Sequence, residues 1–179
     1  MSFGAQAMSF ASALDENVAD FRGLLEALAG QRVDCILIGG VAARIHGSAH
    51  YTNDLDIVYS RRRDNLERLV AALAGCEPYL RGAPRGLPFC WDVKTLEMGL
   101  NFTLVTTLGD IDILGEVLGG GTYEELLPHS KEVDLLGHVF RCTTLPKLIT
   151  LKRAAGRPKD LERLAELEAI LEELEGEDG

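Results

Sequence analysis

Two aspartates stand two residues apart in the run Asp54-Leu55-Asp56-Ile57-Val58. On a strand, side chains alternate between faces, so both carboxylates point the same way, about 7 Å apart along the backbone. Two carboxylates on one face suit a pair of divalent cations, which sit roughly 3.5–4 Å apart in two-metal sites. Upstream, the near-continuous apolar run Val33 to Ile38 has the pattern of a buried central strand. It ends in Gly39-Gly40, and a short helix-like run from Val41 to His46 follows at once. A glycine pair lets backbone N–H groups come close to a phosphate, and the positive end of a helix favours an anion there. Metal-binding carboxylates beside a phosphate cradle are the chemistry of a nucleoside triphosphate with Mg²⁺.

The pair Gly39-Gly40, the thirteen residues Val41 to Asn53 and then Asp54-Leu55-Asp56-Ile57 resemble the signature of the polymerase-β-type nucleotidyltransferase superfamily. The stretch Lys147 to Leu161 resembles the C-terminal helix pair of its small bacterial members, the abortive-infection (AbiEii-like) toxin nucleotidyltransferases. The resemblance covers about Val33 to Leu167. It implies an α+β nucleotidyltransferase fold, with a central mixed sheet flanked by helices and two C-terminal helices closing a nucleotide cleft. It also implies Mg²⁺-dependent transfer of a nucleoside monophosphate from an NTP to a hydroxyl of tRNA, a protein or a small molecule. An antitoxin is the partner it implies for a toxin.

By the same resemblance Asp54 and Asp56 bind both metals, and Asp112, between Ile111 and Ile113, is the third carboxylate. Asp110 has the same strand parity and is its alternate, but it lies beside a turn, where an aspartate needs no functional reason. Gly39 and Gly40 carry the phosphates. The resembling toxins have a lysine on the first C-terminal helix and a Lys-Asp pair at the start of the second. Lys152 then contacts phosphate, and Asp160 is a site residue or the organiser of the lysines. The bland alternative for Lys152 is a surface lysine whose stem lies along the helix. For Asp160 it is a favourable charge in a first helical turn. On the functional reading, Lys152→Ala lowers transfer and leaves the melting temperature near its original value. His50 stands where many members of the family carry arginine; the alternative is an exposed loop histidine.

Other readings compete. Asp54 to Val58 also fits the D-x-D-x-[TV] nucleophile motif of haloacid-dehalogenase-type phosphatases, but polar Tyr51-Thr52-Asn53 precedes it where that motif follows an apolar strand. Nucleotide-sugar glycosyltransferases use D-x-D in larger folds. The non-enzymatic alternative is a nucleotidyltransferase-fold protein that binds nucleotide or a partner protein without turnover.

The elements that must hold these groups are legible by period. Leu14, Val18, Phe21, Leu25 and Leu28 have helical spacing behind a capping box at Ser12-x-x-Asp15, and Gly30 closes that helix. Arg61-Arg62-Arg63 opens a helix through Leu66, Leu69, Val70 and Leu73 that ends at Gly75. Three arginines there oppose the helix dipole, so the run is a solvated face or a contact for a nucleic-acid acceptor. Arg81 to Pro88 reads as a loop, with Arg85 and Lys94 as candidates for lying near the site. Asn101 to Thr107 alternates as a strand, turns at Leu108-Gly109 and returns through Asp110 to Leu114. A short helix spans Tyr123 to Leu127, a hairpin joins Lys131–Leu136 to His138–Cys142, and helices run from Pro146 to Ala155 and Pro158 to Glu175. The expected layout is a disordered segment at 1–11 and one domain at 12–175, with its core at 33–117 and its C-terminal helices at 145–175.

The chain has 179 residues and a formal charge of −10, which argues against broad electrostatic binding to DNA or RNA. Lys147, Lys152, Arg153, Arg157 and Lys159 are its basic concentration. Cys35, Cys76, Cys90 and Cys142 form no metal-ligand pattern and read as buried, reduced thiols. No apolar stretch reaches the eighteen or so residues of a membrane span, and no secretory leader is legible, so the expectation is a cytoplasmic protein.

Overall fold

The computed structural model describes residues 21–177. The capping box at Ser12 and the segment 1–11 lie outside the described residues. Helix α1 (Phe21–Gly30) buries Phe21, Leu24, Leu25 and Leu28, the apolar face read from the sequence. The architecture is α+β, a seven-stranded mixed sheet flanked by helices, two of them C-terminal.

In chain order the remaining elements are β1 (Cys35–Leu37), α2 (Gly39–Ile45), β2 (Asp54–Tyr59), α3 (Arg63–Leu73), β3 (Tyr79–Leu80), α4 (Val93–Met98), β4 (Asn101–Thr106) and β5 (Gly109–Leu114). A two-stranded ribbon follows, β6 (Glu116–Val117) with β7 (Gly121–Thr122), and then α5 (Tyr123–Leu126). The chain closes with the hairpin β8 (Ser130–Leu135) and β9 (His138–Thr143), then α6 (Leu145–Ala155) and α7 (Pro158–Glu177). Across the sheet the order is β3-β4-β5-β2-β1-β9-β8. β2 runs parallel to β5 and antiparallel to β1, and β1 runs parallel to β9.

Strand alternation sorts the two faces. Leu55, Ile57 and Tyr59 of β2, Ile111 and Ile113 of β5, and Cys35 and Leu37 of β1 enter the main core with α1, α3 and α4. The opposite parity, Val58 with Ile36 and Ile38, meets a smaller cluster completed by Leu126 and Leu151. Asp54, Asp56, Asp110 and Asp112 share the parity of Val58 and Leu114, so they stand on the thinly covered face.

Several boundaries differ from expectation for local reasons. α2 begins at Gly39, so the glycine pair opens the helix rather than preceding it. The β4–β5 turn is Thr107-Leu108, because Thr106 pairs with Gly109 and Thr106 Oγ1 accepts the Leu108 N–H at 3.0 Å. The β8–β9 turn is Leu136-Gly137, both with positive φ (58° and 76°), the handedness that a two-residue hairpin turn requires. Cys35, Cys76 and Cys142 are buried free thiols, while Cys90 is on the surface, against the expectation that all four are buried. No described helix is long and apolar enough to cross a membrane.

Candidate active site

β2 and β5 lie side by side with Asp56 opposite Asp112 and Asp54 opposite Asp110. Parallel pairing sends the side chains of each pair to one face, and carboxylate oxygens of Asp54, Asp56 and Asp112 all lie within 4.8 Å of one another. That spacing can chelate a divalent cation. Asp110 is not one of this trio; Arg81 donates to its Oδ2 at 3.1 Å and also to Asp112 Oδ1.

The trio floors a cleft of about 400 Å³. Gly39, Gly40 and Thr52 line it, as do Lys152, Arg157, Asp160 and Arg163 of the α6–α7 region. All seven residues singled out in the sequence, Gly39, Gly40, Asp54, Asp56, Asp112, Lys152 and Asp160, thus line a single cavity.

Burial and like charge dominate the electrostatics. Burial, then the Asp54 and Asp112 carboxylates, push the Asp56 carboxyl from 3.8 up to about 7, against the opposing pull of Arg157 and of the Gly40 N–H that Asp56 accepts. Asp112 is also raised, first by burial, with Arg81 working in the other direction. A fold that holds three carboxylates together at this cost has a donor set suited to a hard cation.

The glycine pair acts first on the protein itself. At φ +63° Gly39 turns the chain out of β1, and a Cβ there would lie 2.0 Å from Asp56 Oδ2. At Gly40 a Cβ would lie 2.3 Å from Thr52 Oγ1. Thr52 in turn donates to Asp54 Oδ1 at 3.1 Å and so orients that carboxylate. Gly39→Ala is expected to destabilise the protein by about 3 kcal/mol in urea unfolding, combining backbone strain with displacement of Asp56. Gly47, at φ +105° with open space around it, is the control. Gly47→Ala carries the backbone strain alone, so equal losses at the two positions would show that Asp56 yields freely.

Lys152 is buried, which overturns the expectation of a lysine free to be removed at no cost to stability. Leu145, Leu148, Ile149 and Lys152 recur at one helical face of α6, and the lysine continues the apolar stripe inward. Its Nζ lies 3.3 Å from Asp160 Oδ1, and Arg157 Nε donates to Asp160 Oδ2 at 2.6 Å. Burial opposes ionisation of Asp160, but the Arg157 hydrogen bond and the Lys152 charge outweigh it and hold the carboxyl low. Asp160 thus pairs with both Lys152 and Arg157 while lining the cleft.

Arg157, Arg163, Thr52 and Arg81 also line the cleft and were not singled out as site residues. Arg157 bonds to Asp160, Thr52 lies against Gly40, and Arg81 bonds to Asp112. Arg157 belonged to the basic cluster read from the sequence, and the only sign that separated it was its position three residues before Asp160. Nothing in the sequence marks Arg81, which follows a two-residue strand.

Other candidates lie elsewhere. Arg85 lines a separate surface pocket beside Tyr79 and Val105, and Lys94 does not line the cleft. His50 is exposed, 3.5 Å from Glu166 Oε2. Arg61 donates to the Gly99 carbonyl and Tyr59 hydroxyl, Arg62 pairs with Asp34, and Arg63 with Glu97. That arginine run follows the C-terminal end of β2, whereas the trio uses its N-terminal end, and its partners are internal. Lys147 donates to the Gly119 carbonyl and Arg153 pairs with Glu168, both away from the cleft. No protein-family model matches the chain, and no curated protein matches it.

Proposed function

We propose that this protein is a nucleotidyltransferase of the polymerase-β type, transferring a nucleoside monophosphate from an NTP to an acceptor hydroxyl with release of pyrophosphate. The observation that carries the reading is the juxtaposition, across one cleft, of three clustered carboxylates and the Lys152–Asp160–Arg157 group. Anionic donors and cations lining one cavity match Mg²⁺-triphosphate, which presents both charges.

The donor set fits Mg²⁺: oxygen ligands only, with Asp54, Asp56 and Asp112 as the residues that would hold it. Bound there, the ion supplies charge neutralisation for the triphosphate and a lowered pKa for the acceptor hydroxyl. The chain's own groups do the rest. Lys152 and Arg157, fixed by Asp160, orient the phosphates, and Gly39, having no Cβ, lets the Asp56 carboxylate pack against the start of α2. Asp112 accepts the acceptor's proton at its carboxylate as the acceptor oxygen bonds to the α-phosphorus and the bond to pyrophosphate breaks. In this reading α6 and α7 are the closing wall of the nucleotide cleft. A second reading, nucleotide binding without turnover, draws on the pairing of Arg81 with the trio.

Purified protein with each α-labelled NTP, Mg²⁺ and total tRNA, or with the protein alone as acceptor, should transfer label from at least one NTP. EDTA and Asp54→Asn should each abolish it. A Mg²⁺- and NTP-dependent rise in melting temperature without label transfer would favour the binding reading, and neither effect would overturn both.

A further inference from the structure

Arg81 follows the edge strand β3, and its N–H donates to the Thr103 carbonyl at 2.9 Å, so the backbone is stitched to β4. The guanidinium reaches three carboxylates at once. One nitrogen donates to Asp112 Oδ1; the other donates to Asp110 Oδ2 at 3.1 Å and lies 3.9 Å from Asp54 Oδ2. The remaining described cations of the cleft bond outside the trio: Lys152 and Arg157 to Asp160, and Arg163 to the Tyr51 carbonyl. Arg81 alone among them hydrogen-bonds a member of the trio.

We propose that Arg81 is the resident counter-ion of the cleft: it pairs with Asp112 and Asp110 beside Asp54, yields Asp112 and Asp54 to an arriving divalent cation, and then turns onto the triphosphate. The proposal rests on the nucleotidyl-transfer reading and adds a residue whose partner changes with the state of the site. A guanidinium and a divalent ion cannot share one carboxylate cheaply, because their like charges then meet at close range. Once released, the planar fork of Arg81 has donors that match phosphate oxygens in pairs. Asp110 keeps the swing short, since it holds one nitrogen from outside the trio. Arg81 thereby opposes ion binding in the empty cleft and supports nucleotide binding in the loaded one.

Opposite signs in two titrations test this. In Arg81→Met, the Mn²⁺ concentration that half-saturates the nucleotide-free protein should fall about tenfold, because a competing charge is gone. In saturating Mn²⁺, the Kd for α,β-methylene ATP should rise about tenfold, because a phosphate ligand is gone. Arg81→Lys, which keeps the charge and loses the fork, should move both in the same directions by less, and it serves if the methionine variant does not fold. An Mn²⁺ midpoint that stays or rises in the variants, while the wild type binds both probes, overturns the role of Arg81 alone. A wild-type protein that binds neither Mn²⁺ nor the analogue overturns the nucleotidyl-transfer reading and this one with it.

Discussion

Asp56→Asn is expected to stabilise the ion-free protein at pH 8 while removing its response to divalent cations. The carboxyl of Asp56 titrates near 7 in the folded chain against 3.8 as a free group, raised by burial and by Asp54 and Asp112. A raised carboxyl binds its proton more tightly folded than unfolded. Its contribution to stability is therefore full below pH 3.8 and is lost as pH rises through 7. Above pH 7 the difference amounts to about 4 kcal/mol, and asparagine, which mimics the protonated group, is free of it. Melting temperatures of the wild type in EDTA should fall relative to those of Asp56→Asn as pH rises from 4 to 8, and the gap between the two should close below pH 4. With Mg²⁺ at pH 8 the wild type should recover stability, since an ion that binds only the folded state raises it, and the variant should not. A variant less stable than wild type at pH 8 in EDTA would refute the electrostatic account of the trio. An Mg²⁺ response equal to that of wild type would remove Asp56 from the donor set.

Lys152→Ala should lose both stability and transfer, and the two losses are separable. The ammonium is buried against Asp160, so its removal leaves that carboxylate with Arg157 as its sole cation. Breaking a buried pair costs about 3–5 kcal/mol when the remaining charge is stranded; with Arg157 still in place about 2 kcal/mol is expected. For a chain of this size that lowers the melting temperature by about 4–8 °C. The double variant Lys152→Met/Asp160→Asn restores packing without a stranded charge and should recover most of the stability. Its kcat should nevertheless stay about a hundredfold below wild type, the usual loss when one donor to a charged transition state is removed. Full transfer by the folded double variant would make the Lys152–Asp160 pair a brace between α6 and α7 with no part in phosphate binding.

The parts of the site on regular elements were legible because period and spacing constrain them. Asp54 and Asp56 share a face by strand alternation, and Asp112 joins them because β5 has the same alternation and lies parallel beside β2 in matching register. That neighbour relation crosses more than fifty residues and came from family resemblance rather than from period. The burial of Lys152 was written in the sequence, since Leu145, Leu148 and Ile149 put it on the apolar face, but a lysine invites a surface reading. Arg81 was hidden for a physical reason. β3 is two residues long and owes its place to pairing with Val105 and Leu104, so no local pattern announces the strand or the direction of the next side chain. Gly39 and Gly40 were found by type, yet their tightest demands come from Asp56 and Thr52, which only the packed structure brings to them.

Because β1 pairs in parallel with β9, Ile36 beside Arg141 and Leu37 beside Cys142, the centre of the sheet waits for a segment made late in synthesis. A ribosome that has extended the chain only through β8 has already joined every carboxylate of the trio, but not β9, the second neighbour of β1, nor α6 and α7. Pairings between distant segments form slowly, since the intervening chain must first be ordered. Chains released early by truncation or stalling then carry the acids without the cations of α6 and α7. Birth of the cleft is thereby tied to completion of β9 and the helices that follow it.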